Sequence, residues 1–219
     1  MKNMRVSLVG TVHAESEQAS VEALQQILER SRPDVIFAEI PTSEVDRYKD
    51  GSHGTLESIT VARYLASHHV DVEPVDLAKP EQKFFDNTKE MFRAVERTSS
   101  DYRRLVDRHS DETRAGGFTY LNSDMCIQAW ADIYREVLAT IEWTGDRRLR
   151  ELCDLWSSTN ERRDRGMMQN IVLYSARIAA ARGVFLVGAA HRKSIIDKAL
   201  AGSGTGMPGI EWDLGGFLG

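Results

Sequence analysis

The chain has 219 residues, a net charge of −5 and a pI near 5.7, with 42% hydrophobic and 28% charged residues. That length and balance fit a globular chain with one sizeable core and exclude wholesale disorder. The acidic surplus argues against a dedicated nucleic-acid or anionic-membrane binder, and two cysteines, Cys126 and Cys153, without C-x-x-C spacing argue against a disulfide framework or zinc knuckle.

Met4–Gly10 reads as a buried strand ended by glycine, and Glu15–Ser31 as an amphipathic helix stopped before Pro33. Val35–Ile40 (VIFAEI) is a second apolar strand closed by Pro41. Thr55–His68 is a helix, and Val70–Val75 a third strand. Strand and helix alternating at this spacing predict an α/β fold, with a mostly parallel central sheet flanked by helices. Between Pro80 and Ser158 the pattern turns helical, with stretches at Glu81–Arg97, Tyr102–Arg114, Asn122–Ile141 and Asp146–Trp156 and a break at Gly116-Gly117. A long helix, Asn160–Arg182, returns to a fourth strand, Gly183–Val187. A helix at Arg192–Leu200, a Gly-rich link and the tail IEWDLGGFLG follow.

No linker-like composition divides the chain, so a single α/β domain is expected over 1–219. Its core would comprise 4–77 and 160–200, with 80–158 a helical insertion or cap. No apolar stretch is long enough for a signal segment or a membrane span, so the expectation is a cytoplasmic protein with no membrane partner.

Four ionisable residues stand at or just past the predicted strand ends: His13, Glu39, Asp76 and His191. In a parallel sheet the C-terminal edge is where loops diverge and ligands bind. Two of the four share a frame, VGTVH (Val9–His13) and VGAAH (Val187–His191). Glu39 interrupts an apolar strand and needs a partner if buried. On the return helix, Met168, Ile171, Val172, Ser175 and Ala179 form an apolar stripe at about 100° per residue. Extended backwards, that stripe reaches Glu161, Asp164 and Arg165, with Arg162 and Arg163 on its flanks.

GTVH (Gly10–His13), PDVIFAEI with Glu39, PVD with Asp76, ERRDRGMMQNI and VFLVGAAH resemble the TraB/GumN/Tiki superfamily. That superfamily is distantly related to erythromycin esterase-like hydrolases and to haem-binding lipoproteins. The resemblance covers about residues 4–77 and 160–200. It implies a site lined by His13, Glu39 and His191, with Asp164 and Arg163 supplied by the return helix. Pairing Arg163-Asp164-x-x-Met167 with the family's helix motif keeps the methionine spacing, whereas Glu161-Arg162 keeps its first two letters. The helical face favours Asp164 over Arg162.

Two chemistries follow for a hydrolase acting on a peptide, amide or ester bond. In one, His13, His191, Glu39 and Asp76 hold a divalent metal (Mn, Co or Zn) that acidifies a bound water. In the other, a histidine oriented by Glu39 activates water and an arginine stabilises the oxyanion. No Ser or Cys stands in a nucleophile-elbow context. A different reading makes the chain a non-catalytic protein that binds haem or a small ligand through the same histidines. The expected partner is a small-molecule or peptide substrate; the apolar and aromatic stripes around Trp130, Tyr134, Trp143 and Trp156 fit either a homodimer interface or, more commonly, plain core.

Overall fold

A computed structural model describes residues 3–205 and 209–215. The protein is α/β. Five parallel strands, β1 (Met4–Thr11), β2 (Val35–Ala38), β3 (Asp71–Pro74), β4 (Arg182–Gly188) and β5 (Ile210–Asp213), form one sheet in the order β3-β2-β4-β1-β5. The first and fourth strands are central neighbours, and Thr11 stands opposite Gly188. The loops after β1 and β4 therefore open side by side at one edge.

Side chains alternate across this sheet as period 2 demands. Ile36, Ala38, Val184 and Leu186 face α1 (Val21–Ser31) and α3 (Leu56–Leu65), where they pack with Leu24, Leu28, Val61 and Tyr64. Val6, Leu8, Val35, Phe37, Phe185 and Val187 face the other way, onto Met167, Ile171 and Tyr174 of α7 (Arg147–Arg177) and Ile195 of α8 (Arg192–Thr205). The predicted strands therefore hold to within one or two residues. The tail proves to contain a further strand, β5, and the residues beyond Gly215 lie outside those described.

The helix expected from Glu15 begins only at Val21. Ser20 accepts a hydrogen bond from the Ala23 N–H and Glu15 one from the Val21 N–H, so both side chains cap the first turn rather than extend it. Residues 12–20 thus form the loop that carries His13. After β2 come a 3-10 turn (Thr42–Glu44) and the short helix α2 (Val45–Lys49), neither of them anticipated.

The central region holds α4 (Gln82–Thr98), α5 (Ser100–Leu121) and α6 (Asp124–Thr144). The expected break at Gly116-Gly117 is a kink inside α5. Gly117 has φ +52°, and a Cβ there would stand 2.4 Å from the Gln18 carbonyl oxygen. The two helices expected around 146–182 are one 31-residue helix, α7. No Gly or Pro interrupts Ser157-Ser158-Thr159, and Ser158 bonds back to the Leu155 carbonyl, so nothing ends the helix there. Its first half packs in a separate cluster with Met91 and Val95 of α4 and Val137 and Ile141 of α6. Trp130, Tyr134 and Trp156 meet through tilted and edge-on ring contacts within this helical region, as core residues would, whereas Trp143 is 80% exposed. Among the described residues no helix is long and apolar enough to cross a membrane.

β5 pairs with β1 only from Met4 to Ser7, which leaves the edge groups of Gly10 without a strand partner. Asn122 supplies one. Its Oδ1 accepts from the Gly10 N–H (2.7 Å), and its Nδ2 donates to the carbonyls of Gly10 (3.1 Å) and Phe118 (2.9 Å). Asn122→Ala should cost about 2–3 kcal/mol, because buried backbone groups lose their partners. Urea denaturation checks this, and a loss near zero would mean that water replaces the amide.

Candidate functional site

Glu39 is one residue past β2 and keeps the parity of Val35 and Phe37, so it turns toward α7. Its Oε2 accepts from the Gly188 N–H at 2.7 Å. Its Oε1 accepts from Arg163 Nη2 at 2.8 Å and lies 3.3 Å from His191 Nε2. Arg163 in turn grips Asp76, with Nε at 3.1 and 3.2 Å from the two carboxylate oxygens and Nη2 at 2.7 Å. His191 places Nδ1 2.6 Å from Asp164 Oδ1. Five of the six residues expected at the strand ends and on the return helix therefore form one continuous, partly buried network, drawn from the ends of β2, β3 and β4 and from α7.

The apolar stripe of α7 runs through Met167, Met168, Ile171 and Tyr174, and its backward extension falls on both Arg163 and Asp164. Ala179 lies beyond the helix and is exposed, as are Glu161 and Arg165, which pair with each other at 3.1 Å. Arg162 is exposed too. The stripe is rotated slightly from its expected centre, and this brings Arg163 in from the flank.

His13 stands apart. Its Nδ1 lies 3.1 Å from Oε1 of Glu57, which also accepts from the Thr11 hydroxyl at 2.7 Å. The His13 side chain is 68% exposed and Glu57 only 6%, so a buried carboxylate aims an open imidazole. Glu57 was not among the expected residues. It sits in the first turn of α3, where Thr55 caps the helix and the Leu56 N–H bonds the His13 carbonyl. An acid in a first turn is so common that nothing in the sequence marks this one.

The two imidazoles are thus electrically different. The hydrogen bond to Glu57 raises the His13 pKa to about 9, helped by the Glu57 and Glu39 charges and opposed by Arg163. Burial works against a charged His191, yet Glu39 and Asp164 outweigh it and the pKa rises. His191 has both ring nitrogens facing carboxylates, whereas His13 Nε2 meets no hydrogen-bond partner among the described residues.

The glycines differ as well. A Cβ at Gly10 would stand 3.1 Å from both Arg192 Cδ and the Leu121 carbonyl, so any larger residue would require these neighbours to give by a few tenths of an ångström. At Gly188 it would lie 3.4 Å from Glu39 Oε2, an ordinary contact.

The residues expected to hold a metal do not offer it converging free donors in this arrangement. Arg163 lies between Glu39 and Asp76, and the nitrogens of His191 face Asp164 and Glu39. Among the described residues no group of three or more His, Cys, Asp or Glu is arranged around a metal position. A concavity of about 220 Å³ lies elsewhere, between α5 and α6, lined by Arg108, His109, Tyr120 and Met125. It contains none of the network residues. No protein-family model, curated protein or solved structure matches the chain.

Because the folded-state pKa of His13 is raised from 6.5 to about 9, its pairing stabilises the fold fully below pH 6.5 and loses that effect as pH climbs through about 9. His191 acts in the same direction. Solvent screening keeps the His13 share small. The thermal midpoint should therefore fall across this window, and His13→Gln should flatten part of the slope. A wild-type midpoint that is level across the window would show that neither pairing stabilises the fold.

Proposed function

We propose that the chain is a hydrolase in which His13, oriented by Glu57, activates water for attack on a peptide, amide or ester bond. The observation that carries this reading is the dyad itself: Nδ1 of His13 tied to a buried carboxylate, with Nε2 left open at the C-terminal edge of the sheet. A base needs a fixed tautomer and one free nitrogen, and the Glu57 bond supplies both. Water would lose a proton to Nε2 as its oxygen bonds the carbonyl carbon. The resulting imidazolium would return that proton to the leaving alkoxide or amine as the tetrahedral intermediate collapses. The raised pKa suits the second half of this cycle and holds much of the enzyme in the acid form at neutral pH.

Arg163 supports a version without metal. A guanidinium already lies between Glu39 and Asp76 and neutralises the acids that a cation would otherwise take. The network of Glu39, Arg163, Asp76, His191 and Asp164 then acts as a rigid wall and a fixed field beside the reacting bond. The likeness of GTVH, Glu39 and VFLVGAAH to the TraB/GumN/Tiki superfamily supports a hydrolase from a separate direction.

The test is a panel of 4-nitrophenyl esters and fluorogenic peptides, assayed with EDTA-dialysed protein. The wild type should turn over at least one member, with the rate rising through about pH 9. His13→Ala should lose about 100-fold or more. Glu57→Gln should lower kcat and move the pH midpoint down toward the ordinary histidine value of about 6.5. Undiminished turnover by His13→Ala would sink the reading, and activity that appears only with added Mn, Co or Zn would replace it with the metal mechanism.

A further inference from the structure

The two imidazoles of the Gly-x-x-His frames are each tied through Nδ1 to a buried carboxylate, yet the ties differ in length. His191 Nδ1 lies 2.6 Å from Asp164 Oδ1, whereas His13 Nδ1 lies 3.1 Å from Glu57 Oε1. In the closer pair no second side chain among the described residues donates to the carboxylate oxygen. In the looser pair the oxygen is shared, because the Thr11 hydroxyl donates to the same Oε1 at 2.7 Å.

The sharing is built into the fold. Thr11 closes β1, paired with Gly188 of β4, and it keeps the parity of Val9, so its side chain turns toward α3. Only 1% of it is exposed, and Glu57 meets it from the first turn of α3. The other carboxylate oxygen, Oε2, is buried with no hydrogen-bond partner among the described residues and does not relieve the crowding on Oε1. Two donors on one oxygen draw on the same negative charge, so each weakens the other. The hydroxyl, fixed on a central strand, takes the short bond. The imidazole, 68% exposed, takes the long one.

We infer that Thr11 is a positioning residue that acts on His13 through Glu57: by sharing Oε1 it loosens the carboxylate's hold on the imidazole and keeps Nε2 usable as a base nearer neutral pH. This role presupposes the hydrolase reading, whereas the shared oxygen does not. A dyad tied as closely as His191 and Asp164 would hold its proton too firmly for the first step, in which Nε2 takes a proton from water. Even with the hydroxyl in place His13 titrates at about 9, already high for a base. The other charges acting on the ring are Glu39, just beyond β2, which favours its protonation, and Arg163 on α7, which opposes it. Replacing Thr11 leaves both in place.

Thr11→Val keeps the β-branched shape and removes the hydroxyl. An NMR titration of the imidazole signals, with that of His13 identified by its loss in His13→Gln, should show the His13 midpoint about one pH unit above the wild type. Thr11→Ala should move it the same way, and Thr11→Ser should restore it. With the best substrate of the ester and peptide panel, Thr11→Val should lower kcat about 10-fold at about pH 7.5, and the gap should close as pH climbs through the midpoint. A His13 midpoint unchanged or lowered in both hydroxyl-free variants would overturn the inference and leave the hydrolase reading in place. So would a kcat lowered equally at every pH, the mark of a threonine that only supports the fold. A wild type inactive on every panel member, with the midpoint still raised in Thr11→Val, would remove the hydrolase reading and support the hold of Thr11 on the dyad.

Discussion

The buried carboxylate of Glu39 at the end of β2 organises the rest of the edge. An acid so nearly enclosed is tolerated only when donors surround it. The donors come from three places in the chain: the Gly188 N–H on β4, His191 just beyond it, and Arg163 on α7. Each donor carries a requirement of its own. The Gly188 N–H is available because β2 stops pairing with β4 at Ala38, which leaves the last turn of β4 free to face the acid. Arg163, itself largely buried, needs a second acid, and Asp76 provides it from β3. His191 needs Asp164 behind it. One carboxylate thereby links three strands and a helix that contribute little else to each other at this edge.

The repeated Gly-x-x-His frame does two unlike jobs. On β4 it delivers an imidazole into a closed ionic lattice. On β1 it delivers one into the open, steadied by an acid from another helix. The glycines share the asymmetry, since a Cβ would crowd Arg192 and the Leu121 carbonyl at Gly10 and meet only ordinary contacts at Gly188. Similarity of sequence here reports a common backbone path from strand to loop, and the chemistry at the end of that path is decided by what packs against it.

How much of this was legible depends on the range of the signal. Glu39 stood out because one acid interrupts the otherwise apolar VIFAEI and must find a partner if buried. The loops that carry His13 and His191 open at one edge because β1 and β4 are parallel neighbours. Glu57 and Asn122 carry no such mark. A first-turn glutamate and a polar residue in a helix junction are what solvated segments ordinarily contain. Their roles arise from neighbours that are distant in the chain: Asn122 matters because β5 is too short to cover Gly10, and Glu57 because His13 happens to lie over the start of α3. The continuity of α7 was missed because a polar Ser-Ser-Thr stretch resembles a boundary, although only glycine, proline or a cap makes one.

That continuity has a consequence for how the molecule tolerates change. At 1.5 Å per residue, α7 is a rod of about 45 Å whose first half belongs to the helical region and whose second half faces the sheet. The two halves are therefore held in phase. One residue inserted between Leu152 and Asn160 would turn everything after it by about 100° relative to the packing of the first half. Either the Met91–Val137–Leu149 cluster or the grip on Glu39 and Asp76 would have to yield. The central region can drift in surface sequence and in the lengths of its other loops, whereas the residue count of this stretch is conserved by geometry, much as tooth number is in meshed gears.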